Sequence, residues 1–188
     1  PVESHGRHML EMYAPQGGTS AKPVSARIHV TPGLAGEANV HELSHGKWTG
    51  FEGLPSQLRE GIGQTVWNLI EDARISKRAS EWFNKPVLAV QTADIKTGLN
   101  IQNPSEVWAA LSHEIAARAF GLKPNEHKFT SATTAVTELG SEIDEAADSD
   151  DPRKAITVTM RVLKYVEMLE HTQREKERVE QLRRNEKA

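Results

Sequence analysis

Apolar side chains in this 188-residue chain recur mostly at helical spacing. The first 25 residues are the exception. They are rich in Gly, Pro and Ser, with one short helical pattern over Glu3–Tyr13 that Gly17-Gly18 and Pro23 interrupt. Ala26–Thr31 alternates and is β-branched, which predicts a short strand closed by Pro32-Gly33. Leu34–Lys47 has helical spacing, and Gly50–Pro55 is a turn-rich connection. Ser56 is a suitable N-cap for a long helix reaching Phe83. Pro86–Thr97 is expected to be irregular or briefly extended. Asn103-Pro104-Ser105-Glu106 opens a further helix that runs to Phe120 and stops at Gly121. From Asp151-Pro152 a helical tail begins, with Ile156, Met160, Leu163, Val166 and Leu169 on one stripe. Beyond Glu170 that stripe thins to Val179 and Leu182. The expected fold is mainly α: a helical core, a small β element near residues 26–31, and an extended C-terminal helix.

Charge divides the chain further. Residues 1–137 balance thirteen bases against thirteen acids; residues 138–151 hold seven acids and no base; residues 152–188 hold ten bases and six acids, for a net charge of -3. Seven carboxylates in fourteen residues repel one another, so that stretch reads as a solvated linker. Its spacing lacks the glycine and closing glutamate of an EF-hand. The expected division is an arm over 1–25, a metal-binding domain over 26–137, an acidic linker over 138–151 and a helical extension over 152–188. The tail interleaves its bases with acids and the pI is about 6.3, which argues against nucleic acid as a partner.

Composition narrows the chemistry. Mean hydropathy is -0.55, and no apolar run approaches the ~18 residues of a membrane span. Cysteine is absent, which excludes disulfides, thiolate metal sites and a cysteine nucleophile. That fits a reducing, cytoplasmic compartment. The chain opens at Pro1 with no basic-then-apolar leader, which points to an excised or processed piece.

The chemistry-bearing motif is His41-Glu42-Leu43-Ser44-His45, an H-E-x-x-H pattern within a predicted helix. Residues four apart share a helix face, so both imidazoles reach one ion. Glu42 lies about 100° round the helix from His41 and is placed to act on water as a general base. Random order would yield roughly 0.04 such matches in a chain of this composition, so the motif is fairly specific. Without a metal, the same residues would be two satisfied histidines and a surface glutamate.

A catalytic zinc needs a third protein ligand. On a helical wheel, Ile62, Val66, Leu69, Ile70 and Ala73 form one apolar face, while Trp67, Glu71 and Ile75 fall opposite. A helix apolar on two sides is packed on two sides, which places Glu71 between large apolar residues. A carboxylate there needs a cation, so Glu71 is the leading candidate. A salt bridge to Arg74 or Arg78 would satisfy it equally. Asp72, oriented differently, could hold a histidine ring from outside the ligand set. Glu114, in His113-Glu114-Ile115-Ala116-Ala117-Arg118, and Asp72 itself are rivals for the third position, and His29 is a weaker one.

These segments resemble the zincin metallopeptidases, in whose glutamate branch a strand precedes the H-E-x-x-H helix and a glutamate on a second helix completes the metal site. The resemblance implies an α+β zincin-like fold with Ala26–Thr31 as the strand and Glu71 as the ligand. The pairing of His-Glu-Leu-Ser-His with Asn68-Leu69-Ile70-Glu71-Asp72-Ala73-Arg74-Ile75 is similar, more narrowly, to metallopeptidase-like domains that accompany von Willebrand factor A modules, and to cobalt-chelatase-type and phage-encoded proteins. It covers roughly residues 26–80 and implies a von Willebrand factor A-type module as partner. The Glu114 segment also resembles the late helix of other zincin-like groups. The resulting expectation is a zinc-dependent hydrolase of protein or peptide substrates, with His41, His45 and Glu71 on Zn2+ and Glu42 as the catalytic base. The alternatives are an inactive zinc-stabilised interaction domain and a helical scaffold whose tail binds a partner.

Overall fold

The computed structural model of the chain describes residues 9–13, 25–29, 36–49 and 53–186. The remainder of the arm, Val30 and Thr31 of the expected strand, Leu34 at the expected helix start, and residues 50–52 of the 50–55 connection lie outside the described residues.

The fold is mainly helical. In chain order the described elements are β1 (Met9–Tyr13), β2 (Ser25–His29), α1 (Gly36–Trp48), a 3-10 turn (Ser56–Leu58), α2 (Gly61–Phe83), α3 (Val87–Ile101), α4 (Val107–Ala119), α5 (Thr130–Glu138), α6 (Gly140–Asp148) and α7 (Arg153–Glu186). Strands β1 and β2 pair antiparallel, with Met9 opposite His29 and Tyr13 opposite Ser25. Met9–Tyr13 is thus extended where a helical pattern was expected. Pairing with β2 gives its backbone groups partners that its own short sequence could not.

The core is one cluster that α2, α4, α5, α6 and α7 share. Val66 and Ile70 of α2, Leu111 and Ile115 of α4, Ile143 of α6, and Val162 and Val166 of α7 are fully buried within it. Helix α2 is buried on both sides of its wheel: Val66, Ile70 and Ala73 on one, Trp67, Glu71 and Ile75 on the other. It is the axis against which α1, α3, α4, α6 and α7 pack. No described helix is long and apolar enough to cross a membrane.

Three local features differ from the pattern-based expectation. Ser56 does not cap α2; Ser56–Leu58 closes a separate 3-10 turn. Gly61 then takes a positive φ of 61°, and α2 starts there. The turn packs so closely on α2 that a Cβ at Gly63 would lie 2.0 Å from the Gln57 carbonyl oxygen. Residues 87–101 form helix α3, because Leu88, Ile95 and Leu99 pack against apolar side chains of neighbouring helices and Val87 is fully buried, contacts that the local sequence does not foretell.

The expected acidic linker is the third. Residues 140–148 are helix α6, with Ile143, Ala146 and Ala147 buried. Its carboxylates sit outward and meet bases of other helices: Asp144 with Arg118, Glu145 with Lys154, Glu142 with Arg161, and Asp148 with Lys77. Mutual repulsion is therefore offset by cations distant in sequence.

Helix α4 ends as its sequence suggests. Gly121 has φ 65°, its N–H bonds the Arg118 carbonyl, and the Leu122 N–H bonds the Ala117 carbonyl at 2.7 Å. This is a Schellman ending, which favours glycine. Helix α7 buries Ala155, Val158, Val162 and Val166 and is exposed from His171 to Asn185.

Gly63→Ala is expected to destabilise the protein by about 1–3 kcal/mol, because backbone must move to admit the methyl group. Gly98→Ala in α3, where a Cβ meets nothing within 4 Å, should instead stabilise by roughly 1 kcal/mol. Thermal melts of the two variants, read against wild type, check both signs.

Candidate metal centre

Helices α1 and α2 bring three ligand atoms together. The His41 and His45 Nε2 atoms lie 3.1 Å apart. Asp72 Oδ1 is 3.1 Å from His45 Nε2 and 3.7 Å from His41 Nε2. Among the described residues, these three form the one cluster of His, Asp and Glu side chains suited to a metal ion. Both histidines are buried and Asp72 is partly exposed.

The two rings are turned inward by hydroxyls. His41 Nδ1 is 3.0 Å from Ser76 Oγ, and His45 Nδ1 is 2.9 Å from Thr49 Oγ1. With the ring proton on Nδ1, each hydroxyl oxygen accepts it and Nε2 carries a lone pair. Three electron-pair donors then face one point, an arrangement that needs a cation or protons at its centre. A tetrahedral ion with bonds of ~2.0–2.1 Å sets its ligand atoms about 3.3–3.4 Å apart. The observed triangle spans that spacing, so the donor set fits zinc in both chemistry and size. Outer hydroxyl partners of this kind are what orient ligating imidazoles.

Without metal, His45 and Asp72 shift each other's titration in opposite directions. Burial opposes the charged form of His45, but the hydrogen bond to Asp72 and the carboxylates of Asp72, Glu42 and Glu71 outweigh it, and its pKa is raised. Burial likewise pushes Asp72 up, but its hydrogen bonds from His41 and His45 drive it far below the ordinary carboxylate range.

Glu71, the expected third ligand, is not at this point. It is fully buried and bound bidentately by Arg74, Nε to Oε2 at 2.8 Å and Nη2 to Oε1 at 2.6 Å. The burial expected from the wheel is correct, but the cation it finds is the guanidinium one turn on. Asp72, one residue later and 100° round the helix, faces α1 instead. Its different orientation on the helical wheel, which set it beside a histidine ring, was the signal in the sequence, and it does not by itself distinguish a ligand from an outer partner.

Glu114 is also elsewhere. Thr133 Oγ1 donates to its Oε1 at 2.8 Å, and His127 Nε2 lies 3.0 Å from the same oxygen. His113 Nε2 accepts the Asn125 N–H. Burial and the neighbouring His127 hold the His113 pKa below its ordinary value, with Glu114 pulling the other way. Arg118 is paired with Asp144. These side chains tie α4 to α5 and α6 rather than joining the His41–His45–Asp72 cluster.

Glu42 is half-buried on α1, between the two histidines in sequence. Among the described residues no hydrogen bond or ion pair ties it down. Trp48, the last residue of α1, packs its ring against Trp82 and Phe83 of α2, with centroids 6.0 and 6.2 Å away. Comparison with known protein families, with curated proteins and with solved structures finds no match.

Two outcomes follow from these pairings. Glu71→Ala strands a buried guanidinium and should cost about 3–5 kcal/mol, lowering the melting temperature by roughly 6–20 °C in a thermal melt. The second concerns pH. A raised histidine stabilises below its ordinary 6.5 and loses that contribution as pH rises through the raised value; a depressed aspartate stabilises above 3.8. In excess chelator, the stability advantage of wild type over Asp72→Asn should therefore be greatest between the ordinary values of 3.8 and 6.5 and shrink as the pH rises through the raised value of His45.

Proposed function

We propose that the chain is a zinc-dependent, metallopeptidase-like hydrolase of α+β zincin-like arrangement that acts on protein or peptide substrates. Its metal ligands are His41, His45 and Asp72, and its catalytic base is Glu42. The observation that carries this reading is the convergence of two Nε2 lone pairs and one carboxylate oxygen, 3.1–3.7 Å apart, on the H-E-x-x-H helix and its neighbour. A zinc ion held by that set supplies Lewis acidity toward a substrate carbonyl and toward water.

The chain's own residues do the remaining work. Ser76 and Thr49 hold the imidazoles in the ligating tautomer and orientation. The free Glu42 carboxylate takes a proton from the attacking water as its oxygen bonds to the peptide carbonyl carbon. It then passes that proton to the amine nitrogen as the C–N bond breaks. The resemblance to domains that accompany von Willebrand factor A modules makes such a module the proposed protein partner, and the absence of cysteine is in keeping with a cytoplasmic setting.

Elemental analysis of purified protein tests the ligand set with isosteric changes. Wild type and Glu71→Gln should carry about one zinc per chain, and Asp72→Asn should carry little. The reverse outcome would return Glu71 to the metal. Glu42→Gln should retain zinc while hydrolysis of unfolded protein substrates drops by roughly 10²–10⁴-fold. Undiminished hydrolysis by the zinc-loaded variant removes Glu42 from its role.

A further inference from the structure

The buried Glu71–Arg74 pair lies one residue from the metal cluster without belonging to it. Arg74 Nη2 donates to the carbonyl oxygen of Trp48 at 2.8 Å, in addition to its two bonds to Glu71. Trp48 ends α1, so a guanidinium meets the helix at the end where carbonyls lack partners and the dipole favours positive charge. The next residue is Thr49, whose N–H bonds the His45 carbonyl at 3.1 Å and whose hydroxyl lies 2.9 Å from His45 Nδ1. The opposite ring nitrogen, Nε2, faces Asp72 Oδ1 at 3.1 Å.

These contacts form a closed ring. It runs from Asp72 through His45, Thr49, Trp48, Arg74 and Glu71, and returns to Asp72 along the α2 backbone. We infer that Arg74 is a positioning residue for the metal site: clamped by Glu71, it fixes the last turn of α1 and, through Thr49, sets the orientation of the His45 ring. A planar fork fixed at four points, the fourth being Nη1 on the Ser149 carbonyl at 3.5 Å, holds one geometry, which a flexible ammonium does not reproduce. The inference rests on the metal reading above and gives Glu71 an indirect role in the site. His41 is set by a separate route, through Ser76 on α2.

Co2+ binding by the full chain tests this, followed by its visible absorption in competition with a chelator. Arg74→Lys and Thr49→Val should each weaken Co2+ binding by about 10–100-fold. The double variant should be no weaker than the worse single one, because both changes break the same path. Ser76→Ala, on the other path, should multiply with Arg74→Lys. If the Arg74 and Thr49 effects multiply instead, or if Arg74→Lys leaves the affinity unchanged, the inference is overturned. Should Arg74→Lys fail to fold, Glu71→Gln takes its place in the same cycle. If wild type itself binds no Co2+, the metal reading has failed, and amide hydrogen exchange decides the positioning claim separately. Faster exchange at Thr49 in Arg74→Lys, with α4 amides unchanged, supports the clamp, and an unchanged Thr49 rate overturns it.

Discussion

Two imidazole nitrogens and a carboxylate oxygen meet where α1 lies on α2, and no apolar contact accounts for such a meeting. Lone pairs repel at this distance unless a positive charge sits among them. The Ser76 and Thr49 hydroxyls stand behind the rings, and where they accept the Nδ1 protons both Nε2 atoms turn lone pairs inward. Protons supply the charge when no metal does, at the cost of a perturbed histidine and aspartate. A divalent ion supplies it without that perturbation. The proposed chemistry depends on this one electrostatic demand, while the seat of α1 on α2 also rests on the Trp48 ring against Trp82 and Phe83 and on the Arg74 bond to the Trp48 carbonyl.

Glu71 and Asp72 show how adjacent carboxylates acquire different fates. One turns into the protein, where an isolated charge is costly, and is matched by an arginine one turn along the same helix. The other turns toward α1, meets the two histidines and stays partly exposed. The buried pair is structural in energy, yet its free donor reaches the end of the histidine helix. Stability and site geometry are thus tied through one guanidinium.

Away from the site, electrostatics serve packing. The acids of α6 each face a base on α2, α4 or α7, and alanines and Ile143 fill the side turned to the core. Exposed pairs of this kind contribute about 0–1 kcal/mol each. Their effect is to permit a helix with so many carboxylates, while burial of its apolar face supplies the drive to form one. The far half of α7 buries no apolar face and has ion pairs along itself, Arg178 with Glu175 and Arg184 with Glu180.

Some of this protein was determined by local sequence alone. Four-residue spacing puts His41 and His45 on one face of any helix that contains them, whatever surrounds it. Gly121 ends α4 because only glycine takes a positive φ without strain, and the period of the tail makes it a helix. The two-sided burial of α2 was likewise legible in its wheel. Tertiary structure alone decided which acid joins the histidines, since Glu71 and Asp72 differ by 100° of helix and only Asp72 is turned toward His41 and His45 on α1. It also made helices of residues 87–101 and 140–148, whose local signals pointed to irregular or solvated chain. In each case the deciding term is a contact between segments distant in sequence, which burial and charge pairing supply and spacing along the chain does not encode.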